Sequence, residues 1–154
     1  MSASLKFKID LSGWMKKSKR LLRVVANLPK IRLGYTGTGW NGTSNDNIAS
    51  KALAHGDDIW MFSSETLSAM GNELRDGLVR VANVQQRDVD AEMQECADMA
   101  REEVFYNILD GKIDGPARTA EWNTYKAAHF ASPTPNMVAS RQWLNSLTAE
   151  LVER

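Results

Sequence analysis

The sequence predicts an α+β fold, in which a small, mostly antiparallel sheet packs on a long central helix with additional helices. The first observation is residues 86–111, where apolar or small side chains recur every three or four positions over about six turns. The second is the alternation of apolar and polar residues in 5–11 and again in 31–35, which is typical of strands with one buried face. A chain of 154 residues is long enough to bury its own core, so we expect one domain spanning 1–154.

The first elements are predicted to be strand, helix and strand. The alternating stretch 5–11 is the first strand, and Ser12 is in the right place to cap a basic helix over 13–27. Pro29 then ends that helix, because a proline disfavours the helical conformation of the residue before it. The second strand, 31–35, is expected to pair with the first.

The middle of the chain begins with a polar stretch. Residues 34–47 are rich in Gly, Thr, Asn and Ser and have little to bury, so we expect a long exposed loop there. A short helix over 46–54 follows. After an apolar run at 59–62, Ser64 begins a pattern typical of a capped helix, which predicts helix over 65–83 with Leu67 on its apolar side.

The central helix has one apolar face and one acidic face. Cys96, the single cysteine, falls at a position that suits a small core residue, so no disulfide within the chain is expected. A further helix is predicted at 119–128 and an extended connection at 131–136. The last element, 143–152, is left open between helix, which its leucine spacing favours, and strand.

The formal net charge is zero, but the charges are unevenly distributed. Residues 1–34 carry nine Lys or Arg and one Asp, a balance of +8, so the remainder carries −8. Such a split suggests contact between copies or with a charged partner. Two solvent-exposed faces of different charge, without any partner, would give the same composition. The sequence has no long apolar run, from which we expect a soluble protein, without membrane association, folded in a reducing cytoplasm.

Residues 37–42 match the pattern G-x-G-x-x-G after a predicted strand. In dinucleotide-binding folds such glycines bring backbone N–H groups onto a pyrophosphate at the start of a helix. Here the polar residues 43–47 follow, and no repeated βαβ pattern surrounds them. A flexible loop is therefore the favoured interpretation, and nucleotide binding is kept as an alternative.

No other motif predicts enzymatic chemistry. His55 and His129 lie in no metal-binding spacing, and no nucleophile elbow is present. We therefore expect no catalytic residue, no cofactor and no metal. Trp40, an aromatic residue in a polar loop, is the type of residue on which binding energy concentrates, and it is predicted to contact a partner.

Three stretches of the chain resemble the neck and tail-completion proteins of tailed phages, a family that includes head–tail joining and minor tail protein Z-like members. The opening 5–13, with its Ser-Gly helix start, is similar to the first strand of that family, and 48–56 is similar to its short helix ending in Gly. In 140–148 the family pattern Thr-Gly-Gln-Leu-Arg-Asn-Ser-Ile-Thr is matched at four positions, Gln142, Asn145, Ser146 and Thr148. The family's Thr-Gly is Ser140-Arg141 here, and its Pro-Arg-Pro-Phe segment is replaced by residues 57–62.

The resemblance implies an α+β fold without enzymatic activity. It further implies a structural virion protein, made in the host cytoplasm, that assembles as a ring of six or twelve copies. The ring would lie in the neck between head connector and tail, in contact with other neck and tail proteins and with passing DNA.

The charge split suggests how neighbouring copies would meet. In this hypothesis the basic helix of one copy faces the acidic side of the central helix of the next; the residues concerned are Lys16, Lys19, Arg20 and Arg23 on one side and Glu92, Glu95 and Glu102 on the other. A different function, DNA binding by the basic helix alone, is kept as a further alternative.

Overall fold

A computed structural model describes residues 2–6, 8, 24–39, 42–54, 58–83, 88–110, 112, 120–129 and 142–153. The elements in chain order are β1 (Ala3–Leu5), β2 (Lys30–Tyr35), α1 (Asn45–Ala54), α2 (Ser64–Asn83), α3 (Val89–Leu109), α4 (Ala120–His129), α5 (Gln142–Asn145) and β3 (Leu147–Val152). The predicted α+β class is confirmed. The helices predicted over 65–83 and 86–111 are both present, as α2 with 20 residues and α3 with 21.

The sheet has the order β1-β2-β3 with antiparallel strands. The pairing of the first two strands is confirmed, with Leu5 opposite Ile31, but the first strand ends at Leu5 and does not continue through Lys6 and Lys8. In this register the next pair would place Lys6 opposite Lys30, and like charges directly opposite each other weaken a sheet.

Hydroxyl caps define where two helices begin. The Oγ of Ser63 accepts a hydrogen bond from the N–H of Thr66 at 3.0 Å, so the cap of α2 is Ser63 and not the predicted Ser64. In the same way Ser44 Oγ accepts from the N–H of Asn47 at 3.1 Å, at the start of α1. The predicted short helix is therefore confirmed, with its first turn one residue earlier than expected.

The last element is divided between the two alternatives. Residues 142–145 form the short helix α5, Ser146 is a turn, and 147–152 form β3. The main-chain N–H of Ser146 donates to the carbonyl oxygen of Trp143 at 3.0 Å, which closes the helical turn. Of the predicted element 143–152, residues 143–145 are therefore helical and residues 147–152 are strand.

The chain groups into two compact units, which we describe separately. The first unit contains Met1–Ser2, Gly34–Met61 and Arg101–Thr148. Its buried apolar residues are Tyr35, Ala49, Ala52, Ile59, Val104, Ile108, Trp143, Leu144 and Leu147. Two side chains of α3 also bond to main-chain oxygens in this unit: Arg101 Nε donates to Leu147 at 3.1 Å, and Asn107 Nδ2 donates to Met61 at 3.0 Å.

The second unit contains Ala3–Leu33, Phe62–Ala100 and Ala149–Arg154. Its buried apolar residues are Ile31, Leu33, Met70, Leu74, Leu78, Val81, Met93, Cys96, Ala97 and Ala100. Burial, with a smaller effect of nearby glutamates, raises the pKa of Cys96 to about 11, which keeps the thiol neutral and confirms it as a core residue. Leu67 is 44% exposed, so its predicted place on the apolar side of α2 is wrong.

Several predicted features lie outside the described residues. They include most of the basic helix 13–27, of which residues 24–26 are helical and Asn27 is a turn, and the extended connection 131–136. The predicted helix at 119–128 is confirmed as α4. Within the described part of the chain, every helix is too short or too polar to cross a lipid bilayer.

Substituting Val104→Asp is expected to lower the free energy of unfolding by about 3 kcal/mol or more, because an unpaired charge would replace a fully buried side chain. Urea unfolding followed by circular dichroism measures the loss. Tyr106→Asp is the control on the same helix, since Tyr106 is 53% exposed, and it should change stability little. Equal stability of the two variants would contradict the assignment of the buried face.

Candidate interaction sites

The described residues between β2 and α1 form the base of a short hairpin, so this segment is shorter than the exposed loop predicted over 34–47, although most of its described residues are exposed. The strand β2 extends through Tyr35, and an isolated antiparallel bridge joins Thr38 to Ser44. Gly37 and Gly42 have φ of 73° and 77°, a left-handed conformation that glycine adopts without steric cost. The Gly, Thr, Asn and Ser residues that predicted a loop here are also typical of tight turns, so composition alone does not distinguish the two.

Asn45 holds the base of this hairpin. Its side chain is buried, with 2% exposure, and its Nδ2 donates to the carbonyl oxygen of Thr36 at 2.7 Å. Its main-chain N–H donates to the carbonyl of Gly37 at 3.0 Å. The first residue of α1 therefore connects this helix by hydrogen bonds to residues 36–37, which follow β2.

The C-terminal stretch binds the same segment. The main-chain oxygen of Ser146 accepts the N–H of Thr36 at 3.1 Å, and the hydroxyl of Thr148 donates to the carbonyl of Gly34 at 3.2 Å. Gln142 Nε2 makes a longer bond of 3.4 Å to the carbonyl of Thr38. Three of the four residues matched in the resemblance thus bond to the strand end and hairpin.

Aromatic side chains fill the interior beside the hairpin. Tyr35 stacks on Trp143 with ring centroids 4.4 Å apart and lies 5.5 Å from the ring of Trp60. The indole Nε1 of Trp143 donates to the main-chain oxygen of Asn45 at 3.1 Å. Burial raises the pKa of Tyr35 well above its usual range, so its hydroxyl keeps its proton at neutral pH.

The glycine motif is built into this hairpin. The N–H of Gly39 donates to Thr43 O at 2.7 Å, and the N–H of Gly42 donates to Gly39 O at 3.0 Å. A phosphate-binding loop needs such N–H groups to point at the ligand. Their use within the turn gives the nucleotide-binding alternative no support.

The acidic face of α3 differs from the prediction at one position. Glu95 and Glu102 are exposed, together with Asp98 between them. Glu92 is 2% exposed, so its predicted place on the solvent face is wrong. The helical repeat places Glu92 next to the apolar row, where the facing helix supplies a charged partner.

That partner is Arg80 of α2. Its Nη2 donates to Glu92 Oε2 at 2.6 Å and to Glu73 Oε1 at 2.6 Å, and its Nε donates to Glu92 Oε1 at 3.3 Å. The hydrogen bonds to Glu92, and then those to Glu73, raise the pKa of Arg80 above its ordinary value. The buried carboxylate therefore has a bidentate counter-ion, the arrangement that makes a buried charge tolerable.

Gly77 makes room for this ion pair. A Cβ at that position would lie 2.5 Å from Oε2 of Glu92 and 2.9 Å from its Cβ and Cδ. Glu73, Glu92 and Glu95 also place carboxylate oxygens within 4.8 Å of one another, which is close enough to share a cation. Arg80 already supplies a positive charge to two of these carboxylates.

Other predicted site residues are not placed together by the described structure. Trp40, Lys16, Lys19, Arg20 and Arg23 lie outside the described residues, as does His55. His129 is exposed at the end of α4, where its ring stacks on Tyr125 at 4.0 Å. The predicted contact roles of Trp40 and the basic residues stay predictions.

Sequence reasoning missed Asn45, Trp143 and Arg80 as organising residues. A polar residue just after Ser44 is ordinary loop composition, and nothing local distinguishes Trp143 from any other aromatic residue. Arg80 carries no local signal, because its partner Glu92 lies twelve positions away on another helix.

The fold and these contacts define an α+β protein with a braced hairpin and a buried ion pair between two helices. Comparison of the chain with protein-family models, with curated proteins and with solved structures finds no match. The likeness to phage neck proteins therefore rests on the residues quoted above.

Two glycines of α2 make a matched pair of substitutions. Gly77→Ala should destabilise the protein by about 1–3 kcal/mol, because the added Cβ would displace Glu92. Gly71→Ala should stabilise it by up to about 1 kcal/mol, because that exposed helical site has nothing within 4 Å and alanine favours helix. Thermal unfolding of both variants measures the difference. Stabilisation by Gly77→Ala would show that Glu92 is not held against α2.

Trp143→Phe is expected to lower the free energy of unfolding by about 1–3 kcal/mol, because the buried hydrogen bond from the indole to the main-chain oxygen of Asn45 would be lost. Hydrogen exchange at the amide of Gly39 should accelerate as the hairpin base loosens. The control is the neighbouring Gln142→Ala, which removes an exposed bond of 3.4 Å and should cost little. Unchanged exchange in Trp143→Phe would mean that this bond does not brace the hairpin.

Proposed function

We propose that this protein is a structural component of the neck of a tailed phage, joining the head connector to the tail as part of a ring. The observation that carries the proposal is the bonding of three matched residues, Gln142, Ser146 and Thr148, to the segment 34–38. In this proposal the residues shared with the neck family have a mechanical task, which is to hold the hairpin in one orientation.

A braced hairpin suits a protein that works by contact. Binding residues are commonly carried on loops that a rigid scaffold positions. Trp40, which lies outside the described residues, remains the proposed anchor for a neighbouring protein. No chemical step is required of the site, and no cofactor is invoked.

The proposed partners are further copies of this chain, together with other neck and tail proteins. The exposed carboxylates of Glu95, Asp98 and Glu102 form an acidic row on α3, separated by three and four positions. The basic residues of 13–27 would face this row in the next copy. Glu92 is excluded from the row because Arg80 binds it within the same chain.

Two other functions make distinct predictions. A nucleotide-binding enzyme would bind a dinucleotide or nucleoside triphosphate at 37–42 in calorimetric titration. A basic-helix DNA-binding protein would retard DNA with strong salt dependence. The neck proposal predicts ring-shaped particles by electron microscopy and a discrete oligomer mass instead.

The charge split generates a double charge-reversal test. Lys19→Glu with Arg20→Glu should slow assembly at least tenfold at low salt, because opposite charges guide association and are screened within about 8 Å at physiological ionic strength. Adding Glu95→Lys with Glu102→Lys should restore part of the rate. Light scattering follows assembly, and circular dichroism checks that the variants fold.

The control pair is Glu65→Lys with Asp76→Lys, which reverses exposed acidic residues on α2 instead of α3 and should give no rescue. Failure of the α3 pair to rescue, in correctly folded protein, would contradict this interface. Loss of DNA binding in Lys19→Glu with Arg20→Glu would favour a basic surface that meets DNA.

A further inference from the structure

The strand β3 lies at an edge of the sheet within the described part of the chain, since the strand order is β1-β2-β3. The N–H of Thr36 donates to the oxygen of Ser146 at 3.1 Å just before β3 begins, in line with the antiparallel ladder. The same register places Arg32 opposite Glu150, and their side chains form an ion pair at 3.0 Å. Main-chain bonding alternates along an antiparallel strand, so the even-numbered residues of β3 bond to β2.

The odd-numbered residues of β3 turn their main-chain groups toward the open edge. One of these groups is occupied, because Arg101 Nε donates to the oxygen of Leu147 at 3.1 Å. Farther along, Ala149 and Leu151 present the N–H and C=O groups that a further strand would bind. Their side chains are partly exposed, whereas the residues opposite them on β2 are fully buried. The described residues therefore leave the apolar face of the sheet incompletely covered at this edge.

The two edges of the sheet differ in their protection against pairing with another chain. The strand β1 has three residues and is followed by Lys6 and Lys8, which are both exposed. Short strands and lysines are the usual means by which proteins block such pairing. In contrast, β3 has six residues without Lys or Pro, and Arg32 pairs with its one charged residue, Glu150. The edge that is open to an added strand is therefore that of β3.

We propose that β3 binds residues 5–11 of a second copy of this chain as an added strand. In 5–11 apolar residues alternate with Lys6, Lys8 and Asp10; of these residues, 7 and 9–11 lie outside the described part of the chain. Beside β3, the apolar positions would extend the partly covered face, and the lysines would lie on the face of Glu150. The side chain of Glu150 is 59% exposed, so a second cation can approach it.

The two lysines must come from a second copy. The strand β1 pairs with the side of β2 that is opposite β3, so a strand added to β3 would lie three strand spacings, about 14 Å, from β1. Lys8 follows Leu5 by three residues, which span at most about 11 Å, so neither lysine of the same chain can lie in that strand. This head-to-tail contact rests on the proposed self-association and adds a surface to the one formed by α3.

The test is the binding of a fluorescent peptide with the sequence of residues 5–11 to the full chain, followed by anisotropy. A peptide with Lys6→Glu and Lys8→Glu should bind about tenfold more weakly, because it would bring like charges beside Glu150. Ala149→Pro in the full chain should weaken binding of the unmodified peptide about tenfold as well, since it removes an N–H that points to the edge. Ser4→Pro, which removes an outward N–H from β1, is the matched control and should bind the peptide normally.

A second measurement follows self-association of the full chain by sedimentation equilibrium. Lys6→Glu with Lys8→Glu should lower the association constant about tenfold, because the added strand would lose its attraction to the β3 edge. The control is Lys51→Glu with Lys112→Glu, which makes the same change of charge at exposed residues elsewhere and should leave association unchanged. Circular dichroism checks that every variant folds.

Equal binding of the two peptides would overturn the proposal, whether or not Ala149→Pro folds. Peptide binding combined with unchanged association of the Lys6→Glu, Lys8→Glu chain would assign the edge to another extended partner and so contradict the second copy. A wild-type chain that stays monomeric would contradict it equally. A chain that associates through β3 but forms no ring would refute the neck proposal alone.

Discussion

The buried side chain of Asn45 is the constraint on which the described first unit most depends. Its Nδ2 bonds to Thr36 at 2.7 Å, its N–H bonds to Gly37, and its main-chain oxygen accepts the indole of Trp143. A residue without a side-chain donor at this position would remove this bond to the Thr36 carbonyl beside an aromatic interior. Because one residue bonds to groups of the hairpin and of α5, segments about 100 positions apart are held in a single arrangement.

This arrangement explains how the described residues of a polar, glycine-rich segment are held in one conformation. Gly37 and Gly42 supply the backbone conformation that the turn needs, but the turn is placed by bonds from Ser146 and Thr148 on the C-terminal side. Recognition loops are commonly held in place by a scaffold of this kind. The proposed neck function depends on these bonds at the base of the hairpin.

In the second unit the main constraint is a buried carboxylate, that of Glu92, between α2 and α3. Glu92 is buried, and the bidentate bonds of Arg80 offset the loss of its hydration. The close approach requires Gly77, since any Cβ there would overlap Glu92. The charge of Arg80, the burial of Glu92 and the lack of a side chain at Gly77 therefore depend on one another. A substitution at one of these residues is expected to change the contacts of the other two.

Local patterns by themselves determined most of the regular elements. Alternation predicted β2, the three-and-four spacing predicted α2 and α3, and a polar residue before an apolar run predicted the start of α2 to within one residue. These features depend on neighbours in sequence, so the sequence contains them directly. The burial of Glu92, the exposure of Leu67 and the early end of β1 were decided by tertiary structure, because each depends on what lies opposite in space. The braced hairpin belongs to the second group as well. Its glycines were visible in the sequence, but the bonds that turn a loop into a fixed structure come from Asn45, Trp143 and Ser146, and no local pattern connects residues so far apart along the chain.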